Sequence, residues 1–463
     1  MQTFGWVALL SFAASLCAGV PQPADWVPAR WSWSDAKSLE LLADSPVNCL
    51  LLKSYTTDFV AAAEKRGLVT LAVIAPGGNA VAEARNALAA KVTGIVLEGS
   101  FPEVTAAAVQ RAAGNAPVVQ LTARSLLPLG LSTPILGTYQ GVWPGIAVEE
   151  NGATKGGATG TIWIDTNTGF IRAVRAWGNA TVWIAVQPPA KTIITGERYL
   201  QVIADAAISG ARWVLALDDD FAQRLNNRQA AGMRDWRRIS VLLRYFEQHP
   251  EWRRMTEYGK LGVMQDPASG GLLTGGVLDM MAAKHMPERL IPRRYLTPDA
   301  IRDLNVILEL DSGALTARQE QALRGFTSAG GTLLTGPPIW KNAGATDDRF
   351  MLNKAEFDEL DAVWKELSPK MPRRSFGVRL FNVSSMLSNV LVSAAGKTLV
   401  VHLVNYSDYP VENISVMFPD DYKKATLTTP ERAAQNLEIS QSNEGSGVTV
   451  ETVSVCAEVK LER

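Results

Sequence analysis

The residues best placed to do chemistry are carboxylates that close short apolar runs: Glu98 in IVLEGSFP, Asp165 in WIDTNTG, and Asp218, Asp219 and Asp220 in LALDDDF. Two such groups facing one scissile bond, roughly 5–10 Å apart, are what glycoside hydrolysis asks for. One protonates the leaving oxygen, and the other acts as base or nucleophile. The apolar residues ahead of Glu98 and Asp165 offer a setting in which a carboxyl group can keep its proton. The assignment taken is Glu98 as general acid and Asp165 as base or nucleophile, with Asp218 in reserve. Each has a structural alternative. Glu98 precedes a Gly-Ser-Phe-Pro turn and could accept loop amides, Asp165 could cap the helix starting near Gly169, and one of the three consecutive Asp residues could do the same before its own helix.

Sugars have apolar faces and hydroxylated edges, so their sites combine aromatic rings with planar polar groups. Tyr139, Gln140 and Trp143 in TYQGVWPG, with Lys53, Gln120, Arg124, Asn167, Gln187 and Asp219, form the expected binding rim. Trp163, Trp183 and Trp213 read instead as interior strand residues. None of the three histidines, His249, His285 and His402, falls at the end of a strand of this first region. That argues against zinc hydrolase and Ser-His-Asp chemistry. There is no G-x-S-x-G and no P-loop, and the triple Asp lacks the spaced oxygen pattern of a calcium loop. No cofactor and no metal is therefore expected. Lys+Arg 45 against Asp+Glu 46 leaves a net charge of −1, which gives no reason to expect a nucleic-acid partner.

The elements that position these groups are read from the hydrophobic pattern. Strands are expected at Val47–Lys53, Leu68–Ala75, Gly94–Glu98, Pro117–Thr122, Pro134–Gln140, Thr161–Asp165, Thr181–Gln187 and Trp213–Asp218. Helices fall between most of them, and a long Gly-rich loop runs through Gly160. Continuous apolar strands alternating with Ala-rich helices indicate a parallel sheet covered by helices. Eight units in about 220 residues match a (βα)8 TIM barrel spanning residues 24–256, with a doubly wound sheet as the alternative. Residues 258–372 read as a compact three-layer α/β domain, and residues 374–463 as an antiparallel β-sandwich of short alternating strands. Cys49 and Cys456 sit in apolar runs and read as inert core thiols.

Met1 to about Gly19 (MQTFGWVALLSFAASLCAG) has the apolar run and small-residue end of a secretory signal. It predicts an exported protein, periplasmic or extracellular, with no membrane span in the mature chain. Cys17 raises a lipoprotein reading, against which Leu16 stands where a small residue is expected.

The order barrel, α/β domain, β domain resembles the β-galactosidases of glycoside hydrolase family 42. The local likeness lies in NVILELDSGALT and RQEQALRGFTSAGGTLLTGPP of the middle region and TLVVHLVNYSDYPVENISV of the tail. The resemblance implies a carbohydrate substrate and a flavodoxin-like or amidotransferase-like middle domain that mediates oligomer contact. It also implies a Glu acid/base after strand four and a Glu nucleophile after strand seven. In the count above those strands end VVQLTAR and WIAVQPP, without a carboxylate, so no catalytic residue is carried over. The expected function is hydrolysis of a glycosidic bond in an oligosaccharide or polysaccharide by two barrel carboxylates. The alternative is a non-catalytic carbohydrate-binding or envelope scaffold protein on a degenerate glycosidase barrel.

Overall fold

The computed structural model describes residues 21–130, 133–150, 153–156, 166–265, 276–310, 313–336, 354–371, 376–383, 385–419, 421–442 and 445–463. The expected leader with Cys17, the expected strand Thr161–Asp165 with Trp163, and Asp165 itself lie outside the described residues.

Eight parallel strands form the first sheet in chain order: Pro28–Arg30, Cys49–Leu52, Val69–Ile74, Gly94–Glu98, Val118–Thr122, Ile135–Thr138, Thr181–Ile184 and Ala211–Trp213. A bridge between Ala29 and Leu215 brings the first strand against the chain just past the eighth. Arg30 N donates to Leu215 O (2.7 Å) and Leu215 N to Pro28 O (3.1 Å). The sheet thus curls into a nearly closed barrel. The interior holds alternate residues of successive strands, Cys49 and Leu51, Val69 and Leu71, Val119 and Leu121, Trp183 and Ala185, with Trp26 packed on Trp183 at 6.2 Å between rings.

The expectation of eight strands survives with a different membership. Pro28–Arg30 is the first strand and was not anticipated, while the stretch expected as strand six is not among the described strands. Every strand from Val47–Lys53 to Pro134–Gln140 therefore moves up one place. The regular (βα)8 repeat is also incomplete. Only 3-10 turns, Ala36–Leu42 and Arg124–Leu126, follow the first and fifth strands. The joint between fifth and sixth strands is thin, pairing Leu121 with Gly137 and Thr122 with Thr138. A Cβ on Gly137 would stand 2.4 Å from Leu121 Cδ2 and 2.8 Å from Gln120 O, so only glycine permits this approach.

The other helices follow their caps. Thr56 Oγ1 accepts from Phe59 N ahead of Thr57–Lys65, Asn79 caps Ala80–Ala89, and Thr195 caps Gly196–Ile208. The Gly-rich segment expected as loop contains a strand pair, Ile146–Glu150 and Ala153–Gly156. The pair is extended by Thr192–Ile194 into a small sheet built from the connections after the sixth and seventh barrel strands.

After the barrel, Leu261–Met264, Glu288–Ile291, Val306–Glu309 and Thr332–Thr335 make a parallel sheet of spatial order second, first, third, fourth. Helices Val277–Ala283 and Lys354–Leu367 share one apolar cluster with it, and Ala317–Ser328 shares another. Two antiparallel sheets close the chain. One contains Met386–Val392, Thr398–Asn405, Cys456–Glu462, Lys424–Thr429 and Arg432–Leu437. The other contains Arg379–Phe381, Val411–Phe418, Gly445–Val453 and Ser440–Ser442. Leu399, Val401 and Leu403 of the first meet Ile414, Val416 and Val450 of the second in one core. The joint Thr256–Glu257 is an edge strand of the first, paired with Leu391 and Val392.

Arg172 ties the three parts together. From helix Thr168–Arg175 it pairs with Glu288 of the middle sheet, donates to Asn389 Oδ1 (2.8 Å) of the C-terminal sheet, and lies 3.4 Å from Glu257. Asn389 Nδ2 in turn donates to Ile208 O (2.6 Å) of the barrel.

Candidate functional site

A barrel gathers its chemistry at the C-terminal ends of its strands. Strand alternation there turns five polar residues toward the mouth: Arg30, last in the first strand; Lys53, just past the second; Glu98, last in the fourth; Tyr139, just past the sixth; and Gln187, beyond the seventh. Glu98 and Arg30 form a two-pronged pair. Arg30 Nη1 donates to Glu98 Oε2 (2.9 Å) and Nη2 to Oε1 (2.8 Å), with side chains 11% and 15% exposed. Such a fork fixes orientation as well as charge. Arg30 Nη2 also donates to Ala185 O (2.6 Å), so the pair spans the first, fourth and seventh strands. Gln187 Nε2 donates to Glu98 Oε1 (3.4 Å), and Lys53 Nζ to Gln187 Oε1 (3.5 Å). Tyr139 packs its ring against the barrel interior just below. Gly99, at φ +126°, turns the chain away immediately after Glu98, and a Cβ there would stand 2.8 Å from the Pro76 ring.

Glu98, Lys53 and Gln187 thus meet at the mouth beside Arg30, a residue not among those expected from sequence, with Tyr139 packed on the interior cluster. With the strands recounted, Glu98 stands at the end of the fourth barrel strand. The mouth-facing residue after the seventh strand remains an amide, Gln187. The Arg30 fork fixes the orientation of Glu98: each oxygen accepts one guanidinium N–H and keeps its second lone pair.

The remaining expected residues lie elsewhere. Gln120 alternates with the interior residues Val119 and Leu121 and is exposed on the outer wall, where no α-helix follows the fifth strand. Arg124 is buried, not on the rim. Its Nη2 donates to Asn167 Oδ1 (2.5 Å) and its guanidinium lies 4.1 Å above the Phe170 ring. Burial pushes it down to about 9, against the opposing charges of Asp279 and Asp205. Asn167 is buried too. It accepts from Val142 N (2.9 Å) and donates to Val142 O (3.1 Å), pinning the chain that follows the sixth strand. Gln140 Oε1 is taken by Arg124 N (2.7 Å).

Trp143 is no exposed platform. It is buried edge-on against Tyr199 and Trp213, and its Nε1 donates to Gln187 O (3.2 Å). It thereby supports the mouth from behind. Asp218 is a buried N-cap. Oδ1 accepts from Phe221 N (3.0 Å), while Oδ2 accepts from the Tyr199 hydroxyl (2.8 Å) and Ile194 N (3.3 Å). Burial raises its carboxyl, and three donors hold it to a structural post. Asp219 follows in the exposed first turn of that helix, and Asp220 pairs with Arg224 at 2.7 Å. Trp183 and Trp213 are buried as expected. Among the described residues no cluster of His, Cys, Asp or Glu could hold a metal ion, and no helix is long and apolar enough to cross a membrane.

These features define a nearly closed barrel of eight parallel strands with a small polar centre at its mouth. No family model and no curated protein matches the sequence. Among solved structures, the chain is similar to α-L-fucosidase isoenzyme 2 from Paenibacillus thiaminolyticus, with 11% identity and a TM-score of 0.59 over 94% of this chain and 99% of that one. At that identity the likeness is one of fold. Lower-scoring matches are a rhamnosidase from Novosphingobium sp. PP1Y (10% identity, TM-score 0.42, 78% of this chain and 38% of that one) and a GH42 β-galactosidase from G. stearothermophilus (8%, TM-score 0.39, 88% and 66%).

Proposed function

We propose that this protein is an exported glycoside hydrolase acting at the barrel mouth, with Glu98 as its base or nucleophile. The observation that carries the reading is the Arg30–Glu98 fork. It is a partly open, rigidly held carboxylate at the end of the fourth strand of a glycosidase-like barrel. In this scheme Glu98 attacks the anomeric carbon or activates a water, and the C–O bond to the leaving sugar breaks. The leaving oxygen takes its proton from a second carboxyl group, for which Asp165 is the candidate. Lys53, Gln187 and Tyr139 would hold sugar hydroxyls and a ring face. The apolar leader Met1–Gly19 supports export. The parallel middle sheet, ordered as in flavodoxin-like folds, and the paired C-terminal sheets support a domain order like that of the family 42 β-galactosidases. A role for the middle domain in self-association belongs to the same proposal.

A second reading is favoured by Gln187. An amide stands where the resemblance implies the nucleophile, which suits a barrel that binds glycans without cleaving them. Incubation with a panel of oligosaccharides and polysaccharides separates the two. Released reducing ends that disappear in Glu98→Gln and in Asp165→Asn support the hydrolase, whereas saturable binding without release supports the binder.

A further inference from the structure

On the opposite, N-terminal side of the barrel lies a cavity of about 720 Å³ that the glycosidase reading does not use. Its walls come from the barrel, the joint that follows it and the middle domain: the approaches to the seventh and eighth barrel strands, the turn Trp252–Arg254 with the edge strand Thr256–Glu257, and the middle-sheet strand Glu288–Ile291. Five arginines line it, Arg172, Arg175, Arg253, Arg254 and Arg289, against two carboxylates, Asp25 and Glu257.

Some of these charges are already matched. Arg172 pairs with Glu288, Arg253 with Glu247, and Arg289 with Asp303 at 2.6 Å. Two are not. Arg175 gives its terminal nitrogens to main-chain carbonyls, Ser209 O (3.1 Å) and Arg253 O (3.0 Å), and has no ion pair among the described residues. Arg254 is exposed and likewise has none among them. Arg289 Nε is buried and makes no hydrogen bond among the described residues. A half-enclosed space walled by guanidinium groups, two of them without an ion pair among the described residues and with Glu257 acting on the charge of Arg175, suits planar or tetrahedral oxyanions. Its volume falls within the range of small-molecule sites.

We propose that this cavity binds a small multivalent oxyanion, a phosphate or sulfate group on a compact metabolite, between the barrel, the joint strand Thr256–Glu257 and the middle domain. Arg254 and Arg175 supply the charge, and Arg253 and Arg289 the further donors. Because barrel and middle domain both contribute walls, occupancy also holds these two together.

Titration calorimetry of the full chain with pyrophosphate, inorganic phosphate and sulfate, at ionic strength matched with sodium chloride, tests this. The expected result is saturable binding by at least one of the three, with pyrophosphate tightest if phosphate esters are the natural class and sulfate tightest if sulfate esters are. Arg254→Glu, an exposed change, is expected to weaken binding tenfold or more. Arg289→Gln is expected to weaken it several-fold, and the anion should raise the unfolding temperature of the wild type but not of Arg254→Glu. No saturable binding beyond the chloride control would overturn the proposal, and so would binding that Arg254→Glu and Arg289→Gln leave unchanged. Neither residue touches the barrel mouth, so the outcome is independent of the glycosidase reading.

Discussion

Asp279 makes a testable link between pH and the seating of the middle domain on the barrel. It lies on helix Val277–Ala283 of the middle domain, and its Oδ1 accepts from Gly169 N at 2.7 Å. Gly169 is in the first turn of barrel helix Thr168–Arg175, whose own N-cap residue, Asn167, makes no side-chain capping bond. Asp279 therefore supplies a cap from another domain. Burial pushes its carboxyl up from 3.8 to about 7, with Asp205 adding to the shift and the Gly169 amide and the Arg124 and Arg172 charges opposing it. The folded state thus holds the proton more tightly than the unfolded chain. Its contribution is fully present below pH 4 and is lost as pH rises toward 7. A shift of about three units at about 1.4 kcal/mol each bounds the loss at about 4 kcal/mol.

Asp279→Asn keeps an oxygen for the Gly169 amide and removes the titration. Urea unfolding followed by tryptophan fluorescence at pH 4.5 and pH 8 should find the variant close to wild type at the lower pH. At pH 8 it should be more stable by about 1–4 kcal/mol. Glu458, also pushed up to about 7 by burial, titrates in both proteins and cancels in the difference. A wild-type-minus-variant difference that stays constant between the two pH values would refute the argument.

Other substitutions probe the remaining joints. Arg30→Met should cost about 2–4 kcal/mol by leaving Glu98 partly buried without its counter-charge, and a cycle with Glu98→Gln should show a coupling of about 1–2 kcal/mol; additive single costs would contradict the fork. Arg172→Met should cost about 3–5 kcal/mol, because Glu288 is left buried and unpaired; in Arg172→Met/Glu288→Gln, thermal unfolding should recover part of the loss. Gly137→Ala should destabilise by about 1–3 kcal/mol through the clash with Leu121 and Gln120. Gly325→Ala, in a helix where nothing lies within 4 Å of the added Cβ, should stabilise by about 0.5–1 kcal/mol. Urea midpoints that moved alike for the two alanines would contradict the packing argument.

The barrel was legible where the chain repeats an apolar run, a helix and a cap, because each run is long enough to declare its period. Pro28–Arg30 was not, because three residues carry no period and Pro28 reads as punctuation. Only the tryptophans on either side, Trp26 facing the interior and Trp31 facing the outer core, hinted at a strand. Missing it displaced the strand count and hid both Arg30 and the place of Glu98. The rim was legible for residues that alternate inward, Lys53, Glu98, Tyr139 and Gln187. It failed for Gln120, one residue out of phase, and for Arg124, Trp143 and Asn167. Sequence position placed these near a strand end, but neighbouring segments cover them. The aromatic and polar types that suit a sugar also suit a buried wall, and only the surrounding residues distinguish the two. Arg432–Leu437 carries no alternation to read, because its residues, RAAQNL, are almost all exposed and mix alanine with polar side chains.

The central claim is that Glu98, clamped by Arg30, is the carboxylate through which the barrel mouth acts on a glycosidic bond. The most direct measurement is the rate of reducing-end release by the folded wild type and by Glu98→Gln on the same oligosaccharide. The account predicts a fall of at least about a hundredfold with substrate binding retained. Undiminished release by Glu98→Gln would contradict it.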